Sequence, residues 1–471
     1  MTRRSVLLIA LVLGGAVIGL MQVRSLAQAK PPQSDRSDAA VQTILQRRID
    51  QEKQSVGIIV GLITPQGRKI ISHGRMAQSD PRKPDEDTVF EIGSISKVVT
   101  ALLLADLVER GELKLNDPIS KFLPKSVKVP SRSGKEITLI DLATHTSGLP
   151  RLPDNLKPQD IENPYADYTV KQLYDFLSRY RLTKDIGTEY EYSNLGAGLL
   201  GHILSLKSGM DYETLVTTRI AQPLQMNSTK IQLSAEMKSR FARGHNEIGQ
   251  PVKSWDLPTL AGAGGLRSTT HDLLNFLAAS LGLTKSNLSP TMQRTQTVQR
   301  QTGTPDLEIG LGWHILKKHG TEIIWHNGGT GGYHSFIGFD KKKQLGVVVL
   351  SNSSNSIDDI GLHLLEKQFP LTRHQPPKER KAIALNPKLY DAYVGRYDLS
   401  PTFILRITKE GNRLYVQATG QPKVELFPEA EADFFAKEVD AQITFVKDEQ
   451  GQVNQLILHQ SGQNLSAKRV R

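Results

Sequence analysis

The 471-residue chain contains no cysteine. Disulfide bonds, thiolate catalysis and lipid attachment to a cysteine are therefore excluded, and the folded state depends on its hydrophobic core. The chain also lacks a Gly-x-Ser-x-Gly motif, which argues against the nucleophile elbow of an α/β-hydrolase. No internal repeat period is visible.

Lys/Arg runs with interleaved aromatic residues are also missing, so binding of nucleic acid is not expected. The formal net charge is +11, and removal of the three arginines of the N-terminal leader reduces it to +8. This mild excess is typical of a solvated surface. It leaves attraction to an anionic cell envelope open.

Metal and cofactor sites are not indicated. His271, His326 and His334 lack the spacing to carboxylates or cysteines that zinc sites use. The glycine-rich segments 262–265 and 328–332 precede no Lys-Ser/Thr pair at the distance of a phosphate-binding loop. Close approach of the backbone to a substrate explains these glycines better.

The N-terminus has the pattern of a secretory signal. Arg3 and Arg4 form a positive segment, residues 5–21 are apolar, and residues 27–29 read Ala-Gln-Ala, a small-x-small cleavage site. We predict a signal peptide over residues 1–29 and export to the periplasm or the extracellular space. The rival interpretation is an uncleaved membrane anchor, because the apolar run is at the short end of what spans a bilayer.

Ser94 and Lys97 lie three residues apart, directly before the apolar run 98–108. This arrangement predicts a nucleophile at the start of a buried helix that stops at Gly111. The spacing places both side chains on one helix face, beside the positive potential of the helix N-terminus. Because a desolvated lysine loses its proton more readily, Lys97 is a candidate base for the Ser94 hydroxyl.

Strand and helix patterns surround this motif. Residues 57–63 and 69–72 predict a β-hairpin. Three β-rich runs occur late in the chain, at residues 321–325, 335–340 and 345–350. Helical patterns fill the middle, at residues 170–180, 195–208, 212–220 and 270–281. We predict an α/β sandwich whose sheet takes strands from both ends of the chain.

Two further motifs follow. Tyr192-Ser193-Asn194 opens the helical pattern at 195–208, and His326-Asn327-Gly328-Gly329 ends the strand pattern at 321–325. In this order the three motifs resemble the serine β-lactamase and penicillin-binding-protein family, and its class C-like branch in particular. Other stretches similar to that branch are residues 138–150 (TLIDLATHTSGLP), 223–226, 263–269 and 325–333.

The resemblance implies a β-lactamase/transpeptidase-like fold, an antiparallel sheet with an all-helical region. It also implies acyl transfer, in which Ser94 forms an acyl-serine intermediate that water cleaves. Lys97 and Tyr192 would share the proton transfers, with the pKa of the Tyr192 phenol lowered by neighbouring cations. Asn194 would hold the substrate amide and orient Lys97.

The strand motif would complete the site. The resemblance places the oxyanion between the backbone N–H groups of Ser94 and Gly329, with Gly328 beside them in the substrate-binding strand. Typical β-lactamases carry lysine-threonine-glycine where this chain has His326-Asn327-Gly328. Because histidine, with an unperturbed pKa of about 6.5, is mostly neutral near pH 7, we do not expect strong β-lactam turnover.

Histidine at position 326 resembles the branch with D-amino-acid peptidases, peptidoglycan carboxypeptidase-like proteins and esterases. The alternative is a structural strand-end residue without contact to substrate. His145 lies in a turn-rich segment and is interpreted as a structural hydrogen-bonding residue near the site rather than a general base.

The composition shifts after residue 370. Residues 373–381 are charged and contain Pro376 and Pro377, a linker pattern. Short alternating segments that predict a small antiparallel β-barrel or sandwich follow, at residues 403–407, 414–417, 424–427, 443–446 and 453–459. They resemble the lipocalin-like module often found after this catalytic domain, for which we favour a packed structural or substrate-gating role.

We therefore predict a hydrolase domain over residues 30–372, a linker over 373–384 and an all-β domain over 385–471. Two classes of function stay open. The first is an exported serine hydrolase whose partner is a small-molecule or peptidoglycan-derived substrate: a D-alanyl peptide, a β-lactam or a small ester. The second is a non-hydrolysing penicillin-binding sensor or a cell-wall-associated binding protein. Retention of a base beside Ser94 favours catalysis.

Overall fold

A computed structural model describes residues 36–376, 380–400, 403–419, 423–437, 441–460 and 463–470. These residues form two compact units that divide between His374 and Gln375. The division falls inside the predicted linker, whose limits stay a prediction. The predicted leader, residues 1–29, lies outside the described residues. Within the described ranges, no helix combines the length and apolar character needed to cross a bilayer.

The first unit is built on an eight-stranded antiparallel sheet. Its strands and two short accessory pairs are β1 (Gly57–Thr64), β2 (Gly67–Gly74), β3 (Val89–Glu91), β4 (Ser131–Arg132), β5 (Lys135–Glu136), β6 (Arg267–Thr269), β7 (Arg300–Gln301), β8 (Leu307–Ile309), β9 (His314–Lys318), β10 (Thr321–Gly329), β11 (His334–Asp340) and β12 (Leu345–Ser351). The order in the main sheet is β2-β1-β12-β11-β10-β9-β8-β7. The N-terminal hairpin pairs with the late strand β12, as Val60 opposite Val349 shows, so the prediction of a sheet drawn from both ends is confirmed.

Helices cover both faces of this sheet. They are α1 (Asp38–Gln46), α2 (Ser96–Glu109), α3 (Leu139–Ala143), α4 (Val170–Arg179), α5 (Asn194–Ser208), α6 (Tyr212–Val216), α7 (Ala235–Ser239), α8 (Ala261–Gly264), α9 (Thr270–Ser280), α10 (Ser289–Thr295) and α11 (Asp358–Leu365). Because side chains alternate along a strand, Ile59 of β1 packs into the large core under α2, α5 and α9, whereas Ile58 packs against α1 and α11.

Helix α2 runs through the centre of the large core. Its residues are buried from Ser96 to Leu107, which is expected for a helix that is apolar on all sides. Gly111 follows with a φ of +73°, a conformation that favours glycine and that ends the helix as predicted. The α-helix begins two residues after Ser94, at Ser96, since Ser94 lies in a 3₁₀ turn, Gly93–Ile95.

The second unit is a closed antiparallel barrel of eight strands in sequential order. The strands are β13 (Gly395–Ser400), β14 (Phe403–Glu410), β15 (Arg413–Ala418), β16 (Lys423–Pro428), β17 (Asp433–Ala436), β18 (Ala441–Lys447), β19 (Val453–Gln460) and β20 (Gln463–Val470). The prediction of a small β-barrel is confirmed, with β13, β17 and β20 in addition to the expected strands. Its interior is filled with side chains, including a stacked Tyr393–Phe445 pair at 4.3 Å between ring centroids.

Candidate active site

Three chain segments distant in sequence meet at the candidate site. Ser94 lies in the turn between β3 and α2, Tyr192 and Asn194 lie at the start of α5, and His326 lies in β10. Lys97 Nζ is 4.8 Å from the centroid of the Tyr192 ring, and the Tyr192 and His326 ring centroids are 6.3 Å apart. The structure therefore brings together side chains from all three predicted motifs.

Lys97 is positioned to act on Ser94. Its Nζ atom donates to Ser94 Oγ at 2.8 Å and to the Ala263 carbonyl oxygen at 2.7 Å. Lys97 is only 3% exposed. Burial, with the nearby Arg151 charge as a second cause, holds the pKa of Lys97 well below its usual value. A neutral amine at this distance has a lone pair available for the Ser94 proton.

Tyr192 differs from the expectation drawn from the resemblance. Burial raises the pKa of Tyr192 to about 12, although a hydrogen bond with Ser94 and the Arg151 charge oppose this effect. The neighbouring cations therefore do not bring the pKa of the phenol below its ordinary value, and that expectation is wrong for the free protein. The physical reason is that the desolvation penalty for a buried phenolate exceeds the attraction of the nearby positive charges. Tyr192 is thus a neutral phenol able to donate a proton.

Asn194 was expected to orient Lys97 and to hold the substrate amide, and the first of these roles is taken by other groups. Lys97 donates to Ser94 Oγ and to the Ala263 carbonyl oxygen, whereas the Asn194 side chain forms a hydrogen bond with the Tyr165 hydroxyl. The contact of Ala263 with Lys97 was not foreseen. The only sequence signal was that Ala263 begins the segment 263–269, because a backbone carbonyl leaves no trace in residue type.

The end of β10 lies directly against the nucleophile turn. A β-carbon added to Gly328 would lie 2.0 Å from the Ile92 carbonyl oxygen and 2.9 Å from the Ser94 nitrogen. Ser335 of the neighbouring strand donates its hydroxyl to the same Ile92 carbonyl at 2.8 Å. Only glycine allows this approach, which sets the backbone of Gly328 and Gly329 beside the first turn of the helix.

His326 is buried, at 1% exposure. Its Nδ1 atom lies 2.5 Å from the Asn327 carbonyl oxygen, and because a carbonyl only accepts, Nδ1 carries the proton. Burial, followed by the nearby His314 and Lys97, holds the pKa of His326 well below its usual value. The ring is therefore neutral, with Nε2 as an acceptor that has no partner among the described residues.

Two further imidazoles, those of His314 and His145, pack against the rings of the site. His314 stacks on His326 at 5.0 Å between ring centroids and lies 3.0 Å from the Tyr190 hydroxyl through Nε2. His145, with a φ of +58°, accepts the Ser193 N–H through Nδ1 at 3.1 Å and packs against the Tyr192 ring. His145 thus positions the Tyr192 segment. Within the described ranges, no three His, Asp or Glu side chains converge as metal ligands would.

A buried carboxyl group close to the nucleophile turn was not anticipated. Glu91, 3% exposed, accepts the Trp255 N–H at 2.9 Å and lies 3.5 Å from the Arg267 guanidinium. Burial raises the pKa of Glu91 to about 7, which the charge of Arg267 opposes. Sequence reasoning passed over Glu91 because nothing in a β-strand pattern marks a buried acid that is paired across the strands.

Comparison with known proteins follows the same division of the chain. Residues 44–365 match the family model described as Beta-lactamase, and residues 379–469 match one described as a domain of unknown function, DUF3471. The chain is 30% identical over 332 residues to the D-alanyl-D-alanine-carboxypeptidase/endopeptidase AmpH of Escherichia coli (strain K12), a match that covers 65% of this chain and 84% of that protein.

A longer match is with Penicillin-binding protein 4* of Bacillus subtilis (strain 168), at 27% identity over 446 residues, 87% of this chain and 94% of that protein. Among solved structures, a beta-lactamase/D-alanine carboxypeptidase from Yersinia pestis, complexed with citrate, superposes with a TM-score of 0.60 at 26% identity. The superposition covers 71% of this chain and 99% of the other.

Proposed function

Because the chain belongs to the Beta-lactamase family and is a serine hydrolase of that type, we propose that it cleaves D-alanyl peptides through an ester on Ser94. β-Lactams and small esters are the further acyl donors of this proposal. The observation that carries it is the 2.8 Å contact between Ser94 Oγ and a lysine amine whose pKa is depressed by burial. A serine hydroxyl needs such a base because it is a weak nucleophile.

Acylation begins when Ser94 Oγ attacks the carbonyl carbon of the substrate and its proton passes to Lys97 Nζ. The carbonyl oxygen becomes an oxyanion, for which we assign the backbone N–H groups of Ser94 and Gly329 as donors. The close packing of Gly328 on the nucleophile turn supports this assignment, since it fixes both N–H groups before substrate arrives. Removal of one such donor costs on the order of 3 kcal/mol of transition-state stabilisation.

Expulsion of the leaving group needs a proton. When the carbon–nitrogen bond breaks, Tyr192 donates its phenolic proton to the departing amine and recovers a proton from Lys97. The neutral state of Tyr192 in the free protein supports this role as acid. Asn194 and the neutral Nε2 acceptor of His326 are assigned to hold the substrate amide, whose N–H group could donate to Nε2.

Deacylation repeats these transfers with water as the nucleophile. The acyl ester is attacked by a water oxygen, the water proton passes to the base, and the ester oxygen leaves as the Ser94 hydroxyl. The groups that accept and return the proton are again Lys97 and Tyr192, by microscopic reversibility.

Export is part of the proposal. It is supported by the leader pattern of residues 1–29 and fits an enzyme of cell-wall peptides. The site lies within the proposed hydrolase domain, residues 30–372. For the all-β domain, residues 385–471, we propose a structural or substrate-gating role, which the cluster of buried apolar side chains inside the described barrel supports.

The test compares the purified protein with Ser94→Ala on three probes: a D-alanyl-D-alanine peptide, a fluorescent penicillin and p-nitrophenyl esters. We expect release of D-alanine and of p-nitrophenol by the wild type, and neither by the variant. If penicillin labelling and hydrolysis do not depend on Ser94, the proposal that the protein hydrolyses substrates through Ser94 is refuted. Stable penicillin label without turnover of any probe would instead identify a non-hydrolysing sensor.

A further inference from the structure

We infer that Arg151 binds a carboxylate group of the substrate and supplies the cation that is missing at position 326. The inference rests on the proposed function, since it concerns the substrate of the same site. It names a ligand chemistry, a carboxylate next to the cleaved bond, which a D-alanyl-D-alanine peptide and a penicillin both carry.

The first observation is the position of the Arg151 side chain. Its guanidinium carbon lies 5.2 Å from the centroid of the Tyr192 ring, close to the proposed proton donor for the leaving group. Arg151 is exposed, in contrast to the buried Lys97 and His326. A guanidinium that lies over an aromatic ring can still present two N–H groups to a carboxylate for two parallel hydrogen bonds.

The second observation is that the backbone of Arg151 is anchored to the site. Its carbonyl oxygen accepts from the N–H groups of Asn194 at 3.0 Å and Leu195 at 3.2 Å. The preceding carbonyl, that of Pro150, accepts the Ser193 hydroxyl at 2.7 Å. Two consecutive peptide groups are therefore tied to the segment that carries Tyr192, and the base of the Arg151 side chain is held against the site.

The third observation is that the charge of Arg151 has no carboxylate partner. Across the part of the chain that the structure describes, no Asp or Glu oxygen forms an ion pair with Arg151. The carboxylates closest to this segment in sequence are engaged elsewhere: Asp154 pairs with Arg179, and Glu191 pairs with Lys184 at 2.8 Å. An unpaired cation at the site is available for an anionic substrate group.

The other basic groups around the site do not compete for this role. Burial lowers the pKa of Lys97, His145, His314 and His326, which favours the neutral form of each of these groups. Arginine keeps its charge at every physiological pH. Arg151 also acts on three phenols, Tyr165, Tyr190 and Tyr192, whose pKa burial raises. Arg151 is thus the permanent cation of the described site.

The test uses a matched pair of substrates, a D-alanyl-D-alanine peptide with its free C-terminal carboxylate and the same peptide as a C-terminal amide. For Arg151→Gln we expect the ratio of kcat/KM values, carboxylate over amide, to fall about tenfold or more. Arg151→Lys should keep part of the ratio. Arg68→Gln, which changes an exposed arginine of β2, should keep all of it.

A pH profile on a neutral p-nitrophenyl ester gives a second readout. Because the Arg151 charge lowers the pKa of Lys97, Arg151→Gln should move the acidic limb of kcat/KM to higher pH, and Arg68→Gln should not. Labelling by a carboxylate-bearing penicillin tells whether Arg151 binds the carboxylate of the peptide, of the penicillin or of both. If Arg151→Gln loses activity on the peptide but keeps its rate of penicillin labelling, Arg151 binds the peptide carboxylate alone.

If Arg151→Gln leaves the carboxylate-to-amide ratio of kcat/KM unchanged, with equal losses or none on the two peptides, the inference is overturned. If Arg151→Gln does not fold, the inference is tested on the wild-type protein by changing the ionic strength. Raised ionic strength should weaken kcat/KM for the carboxylate peptide more than for its amide, and equal effects would count against Arg151. Absence of Ser94-dependent ester hydrolysis in the wild type would instead mean that the proposed function has failed.

Discussion

Lys97 Nζ lies between two oxygen atoms, 2.8 Å from Ser94 Oγ and 2.7 Å from the Ala263 carbonyl. The Ala263 carbonyl holds the Lys97 amine beside the nucleophile, and burial lowers the pKa of that amine. This relationship explains how one short motif becomes a reactive pair. The helix supplies the spacing, and a segment about 170 residues later in the chain supplies the second anchor.

Replacement of Lys97 by Met should slow acylation of Ser94 strongly. The loss in kcat/KM for a p-nitrophenyl ester should be at least 10²-fold to 10⁴-fold, the usual contribution of a general base. In the wild type, kcat/KM should rise with pH as the Lys97 amine loses its proton, and because burial lowers the pKa of Lys97, this rise should be complete at a pH well below that of an ordinary lysine. Lys69→Met, at an exposed site on β2, is the control, and equal losses in both variants would contradict the role.

Tyr192→Phe should slow amide substrates far more than activated esters. An amine leaves only with a proton, which the neutral Tyr192 phenol provides, whereas p-nitrophenolate leaves without one. We expect kcat/KM to fall by about 10²-fold or more on a D-alanyl-D-alanine peptide and by less than about tenfold on a p-nitrophenyl ester. Tyr180→Phe controls for the loss of a hydroxyl elsewhere. Uniform losses on the two substrates would remove the leaving-group role.

Gly328→Ala should damage both folding and catalysis. The added β-carbon would lie 2.0 Å from the Ile92 carbonyl oxygen, so the backbone must move, at a cost of about 3 kcal/mol in the free energy of unfolding. Thermal and urea unfolding measure this change. Gly329→Ala is the matched control for folding, because the nearest atom to its β-carbon is 3.9 Å away. Equal stability of the two variants would mean that the close approach is not required.

Glu91 should make the stability of the protein depend on pH. Its pKa is raised to about 7 in the folded state by burial, so as pH increases from about 4.5 the unfolded chain ionises first. The contribution of Glu91 is fully present below pH 4.5 and is lost as pH rises through about 7, by roughly 3 kcal/mol in total.

Unfolding free energies of wild type and Glu91→Gln, measured from pH 4.5 to 8, test this dependence. The difference should shift in favour of the variant up to about pH 7 and then stay constant. Glu136→Gln, which changes an exposed carboxyl group, should show no such trend. A constant difference across the whole range would show that Glu91 ionises normally in the folded protein.

Much of the architecture was readable from local pattern. The apolar run after Lys97 predicted the buried helix α2, and the glycine at 111 predicted its end, because both depend on side chains close in sequence. β-Rich runs likewise predicted β10 to β12, and alternating residues predicted five strands of the barrel. Short strands such as β7 and β8 were not predicted, since two or three residues carry too little periodicity.

The residue types of the three motifs, and hence the serine-hydrolase chemistry, were determined by the sequence alone. What only the tertiary structure decided is the electrostatic state of those residues. The Tyr192 phenol is neutral, the Lys97 amine is easily deprotonated, and Arg151 stands unpaired beside them. These properties depend on burial and on neighbours far apart in the chain, and a pKa is set by the surroundings that folding creates rather than by the residue itself.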